Sequence, residues 1–220
     1  VHFCYLSLSL KMYVIGITGG ICSGKSTVTC VLQTLGAHVL DADKLGHQTY
    51  EVGTPCYTKL VENFGPQIVA EGGGINRAAL GAIVFSDSAK MDQLRAIVWP
   101  EIRQLIVAEL GALRAQGVQV VALEAAVMLE AGWQDLASTL WVVSVRKEVA
   151  QERLMVRNGL SEEEALKRIG SQISDQQRCL AADVVIRNEG GDGGVEQLKQ
   201  RVKSAYREKV PAQFRDVETP

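Results

Sequence analysis

The strongest constraint on this chain is the run Gly19-Gly20-Ile21-Cys22-Ser23-Gly24-Lys25-Ser26, which fits GxxxxGK[ST] at every fixed position. Glycines let the backbone wrap so that successive N–H groups point inward at an anion. The pattern carries this meaning only between a strand and a helix, and the flanks supply both. Tyr13-Val14-Ile15-Gly16-Ile17-Thr18 reads as a short apolar strand. Lys25 to Leu35 has helical spacing, with Val28, Val31, Leu32 and Leu35 on one side and Gly36 placed to stop it. A helix starting there adds its positive N-terminus to the loop. Lys25 then acts as a mobile point charge for the outer phosphates of a nucleotide, and Ser26 offers a hydroxyl to Mg²⁺.

Further strands are expected at His38-Val39-Leu40, at Val118 to Leu123, at Leu140 to Val145 and at Asp183 to Ile186. The stretch from Lys44 to about Gly117 reads as mostly helical. Ile102, Leu105, Ile106, Leu110 and Leu113 form an amphipathic stripe, and Pro100 is expected to open that helix and separate it from the one before. Gly72-Gly73-Gly74 marks a turn, and Glu189 to Gly194 a Gly-rich loop before the last helix. Short apolar strands alternating with helices imply an α/β fold of P-loop type, with a five-stranded parallel sheet between two helical layers. Ligands of such folds bind beyond the carboxyl ends of the strands.

Composition bounds the function. At 220 residues the chain fits one domain, or one domain with a lid and a small insertion, and its net charge of -2 argues against a general nucleic-acid binder. Cys4, Cys22, Cys30, Cys56 and Cys179 contain no CxxC pair, so reduced thiols in an intracellular compartment are expected. Residues 1–10 are apolar but too short to span a bilayer, and Lys11 follows the apolar run where a secretory signal would carry its charge first. The segment 1–11 is therefore expected to be a disordered linker remnant, with a kinase domain over 12–210 and a tail over 211–220. His38 and His47 form no cluster and read as core or surface filling.

Several charged residues are candidates for chemistry. A phosphotransferase needs a carboxylate to orient the acceptor hydroxyl and take its proton. Asp43 reads that way, with a helix N-cap as the alternative, and Asp41 is open between the two. Glu124 closes an apolar strand as a metal-holding acid would, and Glu130 reads as a turn cap or a functional acid. Arg153, Arg157 and Arg168 lie in charged helices over about 147–178, either as a solvated face or as a lid closing on nucleotide. Among these, Arg157 is the residue assigned to the transferred phosphoryl group. Ser161 with Glu164 reads as a capping box. Cys22 reads as a small residue that fits the loop, with a redox-sensing thiol as the alternative.

From Met12 to Val210 the chain resembles the dephospho-CoA kinase family. The likeness rests on Ile17-Thr18-Gly19-Gly20-Ile21, Val39-Leu40-Asp41-Ala42-Asp43, Ile75-Asn76-Arg77-Ala78-Ala79-Leu80, Arg157-Asn158-Gly159-Leu160-Ser161 and Asp183-Val184-Val185-Ile186-Arg187-Asn188-Glu189-Gly190. Within it, Leu45-Gly46-His47, Val98-Trp99-Pro100 and the run from Glu124 to Trp133 look most like the kinase domain of the eukaryotic bifunctional coenzyme A synthase. Trp99 and Glu124 depart from patterns seen in the family.

The resemblance implies transfer of the ATP γ-phosphate to the ribose 3′-hydroxyl of dephospho-CoA, with Mg²⁺. Asp43 would be the base, Arg157 would lie in the lid, and Arg77 would lie near the acceptor. The cradle residues Gly19 to Ser26 with Thr27 would hold ATP, and Asn188 and Gly190 would lie near adenine. Metal would be held by Ser26 and Glu124. The helical stretch 44–117 would contain a CoA-binding subdomain, and residence would be cytoplasmic or mitochondrial, possibly within a longer chain.

Overall fold

The computed structural model describes residues 11–191 and 193–215, so the segments 1–10 and 216–220 lie outside the described residues, with most of what was expected of the two termini. In chain order the elements are β1 (Tyr13–Gly19), α1 (Lys25–Thr34), β2 (His38–Asp41), α2 (Ala42–Gln48), α3 (Pro55–Phe64), α4 (Arg77–Phe85) and α5 (Ser88–Ala115). There follow β3 (Val120–Glu124), β4 (Thr139–Ser144), α6 (Lys147–Asn158), α7 (Glu162–Gly170), α8 (Asp175–Ala181), β5 (Val184–Arg187) and α9 (Gly194–Lys209). These elements fall into two compact units, one of residues 11–40 and 111–215, the other of Asp41–Leu110.

The first unit is built on the sheet, whose strand order is β2-β3-β1-β4-β5. β1 runs parallel to β3 with Tyr13 opposite Val120, and parallel to β4 with Ile15 opposite Thr139. β4 runs parallel to β5 with Trp141 opposite Val184. A central strand of a parallel sheet is covered on both faces, so it reads as a continuous apolar run, and Val14 to Ile17 are buried without alternation. Ile15 and Ile17 point into a core with Val28 and Leu32 of α1 and Leu198 and Val202 of α9. On the other face a side chain at Gly16 would meet Met128 Sδ at 2.8 Å and Ala137 at 2.9 Å, which is why a glycine stands in mid-strand.

The core continues past residue 210. A 3₁₀ turn at Ala212–Phe214 buries Phe214, whose ring centroid lies 5.4 Å from that of Tyr13. The tail expected from 211 thus contributes packing through its first residues. The strands lie within one or two residues of their expected positions. β3 starts at Val120 rather than Val118, because the preceding residues complete the helix exit, with the Val118 N–H bonded to Leu113 O at 3.0 Å.

The second unit is helical. Thr54 caps α3 by accepting from the Tyr57 N–H, with Pro55 at the first helical position, and Asn76 caps α4 by accepting from the Ala79 N–H. The Gly72-Gly73-Gly74 turn closes a one-pair antiparallel bridge between Val69 and Ile75, and Tyr57 Oη donates to Gly73 O at 2.7 Å. Within it Cys56, Leu60, Phe64, Ile68, Leu80, Val84, Val98, Ile102 and Ile106 are buried. Pro100 does not divide two helices as expected: α5 runs unbroken through it for 28 residues. Proline removes the N–H that would bond to Ala96 O, at about 3 kcal/mol in a helix interior. Burial of Val98, Ile102 and Ile106 on both sides of it offsets that loss. Among the described residues no helix is long and apolar enough to cross a membrane.

Leu32 is fully buried whereas Leu180 is 81% exposed. Leu32→Ala is expected to lower the unfolding free energy by about 2–5 kcal/mol in urea titration. Leu180→Ala is expected to stay within about 0.5 kcal/mol of the parent.

Candidate active site

β1 ends at Gly19, and the chain turns through Gly20 to Gly24 into α1. Two glycines in this loop have no room for a side chain. A Cβ on Gly19 would sit 2.5 Å from Val143 O and 2.7 Å from Ser23 Oγ. At Gly24, φ is +98° and a Cβ would sit 2.5 Å from Asn188 Nδ2. Gly24 caps α1 without a side chain, and the first turn holds no acid, so the helix N-terminus keeps its positive potential. Lys25 Nζ lies over the loop and donates to Gly19 O at 3.0 Å and Gly20 O at 3.3 Å. Ser26 is exposed at the start of the helix. Cys22, at φ 57°, has the one positive φ outside glycine among the described residues. The loop therefore carries a backbone conformation that costs an ordinary residue about 1 kcal/mol or more.

What holds the loop in that shape comes from two other elements. Asn188, 6% exposed at the end of β5, donates from Nδ2 to Ser23 O at 2.7 Å. Its Oδ1 accepts from Arg153 Nη2 at 3.1 Å, and Arg153 Nη1 donates to Cys22 O at 3.1 Å. The Asn188 N–H is itself fixed on Ser144 O at 2.8 Å. Two carbonyls that would repel a phosphate are thus turned outward and bonded. Gly190 (φ +73°) passes close to Val149 and Arg153, at 3.1 and 3.3 Å from a built Cβ. Arg157, one turn beyond Arg153 on α6, is instead exposed and bonds Asn158 Oδ1 through Nε at 3.0 Å. Spacing alone does not separate two arginines four apart on a charged helix. The partner that distinguishes Arg153, Asn188, is 35 residues away in sequence.

A second group approaches the start of the loop. Gln172 Oε1 accepts from the Ile21 N–H at 2.9 Å. Arg178 on α8 is 2% exposed, lies 3.6 Å from Glu130 Oε1, and brings Nη1 to 3.4 Å from a Cβ built on Gly20. Burial pushes its guanidinium below the usual value against the pull of Glu130 and Asp175. Gly20, Ile21, Lys147, Gln172, Asp175 and Arg178 line a cavity of about 320 Å³. Sequence reading weighed Glu130 but missed Gln172 and Arg178, because a short polar helix with a capping box at Ser174 looks like a solvated surface. Glu124 ends β3 and accepts from Thr29 Oγ1 at 3.2 Å, one helical turn beyond Ser26.

The other candidates belong to the unit Asp41–Leu110. Asp41 is the N-cap of α2, accepting from the Asp43 and Lys44 N–H groups at 3.0 and 3.1 Å. Of the two aspartates, capping falls to Asp41, and Asp43 stands exposed in the first turn. Arg77 opens α4 with its guanidinium 5.5 Å from the Tyr50 ring centroid, a cation–π arrangement. Trp99 is half-buried beneath Arg95.

A parallel sheet whose central strand feeds a GxxxxGKS loop and helix defines a P-loop kinase-like fold. The family model described as dephospho-CoA kinase matches residues 13–193. A dephospho-CoA kinase of Geobacter sulfurreducens is 40% identical over 200 residues, 91% of this chain and 100% of the relative. One from Carboxydothermus hydrogenoformans is 39% identical over 88% of this chain and 92% of its own. Of solved structures, TT1252 from Thermus thermophilus superposes with a TM-score of 0.76 at 34% identity, covering 91% of this chain and 100% of that one. The dephospho-CoA kinase from Campylobacter jejuni gives 0.64 at 26%, covering 87% and 96%. The chain belongs to the dephospho-CoA kinase family.

Asn188→Ala strands the Ser23 carbonyl and one Arg153 donor. Loss of about 1–3 kcal/mol of stability is expected in chemical denaturation, together with weaker nucleotide binding in a titration.

Proposed function

We propose that this chain transfers the γ-phosphoryl group of ATP to the ribose 3′-hydroxyl of dephospho-CoA, giving coenzyme A and ADP. The observation that carries this is the intact cradle, Gly19 to Thr27 with Lys25 over its mouth, in a chain matched to the family over residues 13–193. The acceptor oxygen bonds to the γ-phosphorus as the bond to the β,γ-bridging oxygen breaks, and that electron pair leaves on ADP. The acceptor proton passes to a carboxylate, for which Asp43 is the candidate, its neighbour Asp41 being committed to the helix cap. Transfer is direct, with no phosphoenzyme.

The donor set also suits a hard divalent cation: the Ser26 hydroxyl stands at the helix start, and Glu124 is an oriented carboxylate. Mg²⁺ bound there would neutralise charge building on the phosphates. Arg77 is the candidate for the acceptor's anionic groups, in a helical substrate-binding insertion over about 44–117. Residues 147–178 with Arg157 are the candidate lid, and Asn188 and Gly190 the candidates beside adenine. For Asn188 the inward bonding favours support of the loop over contact with the base.

The finer likeness to a eukaryotic bifunctional synthase rests on the segments at 45–47, 98–100 and 124–133. The relatives reported above are bacterial and are matched over nearly their whole length, and they lend no support to the bifunctional likeness or to a mitochondrial home. Free Cys22, Cys30, Cys56 and Cys179 suit a reducing compartment.

Purified protein with Mg-ATP and a panel of acceptors is expected to add one phosphate to dephospho-CoA, read by mass spectrometry. Transfer to a nucleoside or nucleotide alone would replace this substrate with another. Lys25→Ala and Asp43→Asn are each expected to cut kcat by about 10²–10³ with circular dichroism unchanged. A folded Asp43→Asn protein with near-normal kcat would remove the assigned base.

A further inference from the structure

Arg178 is an expensive residue where it stands. Its guanidinium is buried, and Nε and Nη2 have no hydrogen-bond partner. Two acids act on it, Asp175 and Glu130; Glu130 is 3.6 Å away at Oε1, beyond hydrogen-bond length, and the Glu130 Oε2 is itself buried without a partner. A buried ion pair that is not fully hydrogen-bonded does not recover its desolvation cost. An arginine kept only to anchor α8 would be better replaced by an apolar side chain of similar volume. The guanidinium instead stands in the wall of the cavity bounded by Gly20, Ile21 and Gln172, with Nη1 turned toward Gly20.

The position of that cavity along the loop is set by Lys25. In a GxxxxGK[ST] loop the lysine serves the β- and γ-phosphates while the following helix N-terminus holds the inner ones. Here the Lys25 ammonium lies on the carbonyls of Gly19 and Gly20. Arg178 Nη1 approaches the same residue, at 3.4 Å from a Cβ on Gly20. Both cations therefore approach the first residues of the loop, one from α1 and one from α8.

We propose that Arg178 is a γ-phosphate contact of this enzyme, a built-in arginine that reads the third phosphate of ATP through the Nη1 it turns toward Gly20. Gln172, bonded to the Ile21 N–H, fixes the loop start against which the guanidinium works. An arginine supplied in cis at this end of a P-loop stabilises the charge on the transferred group. Glu130 positions the guanidinium from behind. The inference rests on ATP being the donor, as proposed above, and not on which acceptor is used.

The test reads nucleotide preference without any acceptor. Dissociation constants for Mg-ATP and Mg-ADP are measured by calorimetry on the parent, Arg178→Ala and Arg178→Lys, with apo melting temperatures as the fold check. In Arg178→Ala, ATP binding is expected to weaken roughly ten- to a hundredfold while ADP binding stays within about twofold, the loss of one charge-assisted contact. Should that variant fail to fold, Arg178→Lys carries the test. It keeps the charge beside Glu130 and is expected to lose about tenfold of the ATP-over-ADP preference because it lacks the planar fork. Equal weakening of both nucleotides, or no change in either, overturns the proposal. Parent protein that binds neither nucleotide overturns it together with the functional reading. Failure to phosphorylate dephospho-CoA with ATP preference intact and Arg178-dependent sinks only the acceptor assignment and supports this one.

Discussion

Everything at this site depends on where two peptide carbonyls point. A loop can present N–H groups to an anion only if the C=O groups of the same peptides are taken elsewhere, since an unpaired buried carbonyl is costly and one aimed at phosphate is repulsive. Arg153 and Asn188 accept that task for Cys22 and Ser23. The first sits on α6, the second at the end of β5, and both are fixed by the sheet through the Asn188 N–H on Ser144 O. The cradle is therefore a property of three elements rather than of the eight residues that match the motif. Its strained Cys22 is tolerated because the surroundings over-determine the loop.

What the sequence disclosed follows the range of the interactions involved. The cradle, the strands and the capping box at Ser161 are local patterns, set by glycine conformations, apolar runs and hydrogen bonds three residues long, and they were legible. Family resemblance added the substrate. Choosing between Arg153 and Arg157 required a contact with Asn188 that no helical periodicity encodes. Arg178 escaped notice for a related reason: burial of a single arginine on a seven-residue polar helix is decided by what β4 and the loop put around it. Pro100 misled because its local cost is real, but the apolar residues on either side of it in α5 outweigh that cost. The aspartate pair was half legible, as the DxD spacing leaves both roles open until the cap geometry assigns one of them to Asp41.

The candidate residues on each unit differ in chemistry. The sheet unit carries the candidate donors for phosphate, backed by a core in which the central strand is buried from Val14 onward. The helical unit carries the candidate base and the candidate acceptor-binding arginine on the first turns of α2 and α4, where a cap fixes the backbone and the side chains remain exposed. Short capped helices suit such a task, because a helix start orients a side chain with few residues and without a large core behind it.

The glycines of the loop are not equivalent in how freely the chain can drift at them. Gly19 and Gly24 face neighbours at 2.5 Å, so any side chain there displaces a backbone oxygen or the Asn188 amide. Gly20 has ordinary backbone angles, and its nearest neighbours, Arg178 Nη1 and Gln172 Oε1, stand at 3.4 and 3.7 Å from a methyl. An alanine therefore fits the backbone at 20 and meets only side chains. Neutral variation in a cradle of this kind should collect at its second position, where it would tune how closely the arginine approaches rather than whether the loop forms.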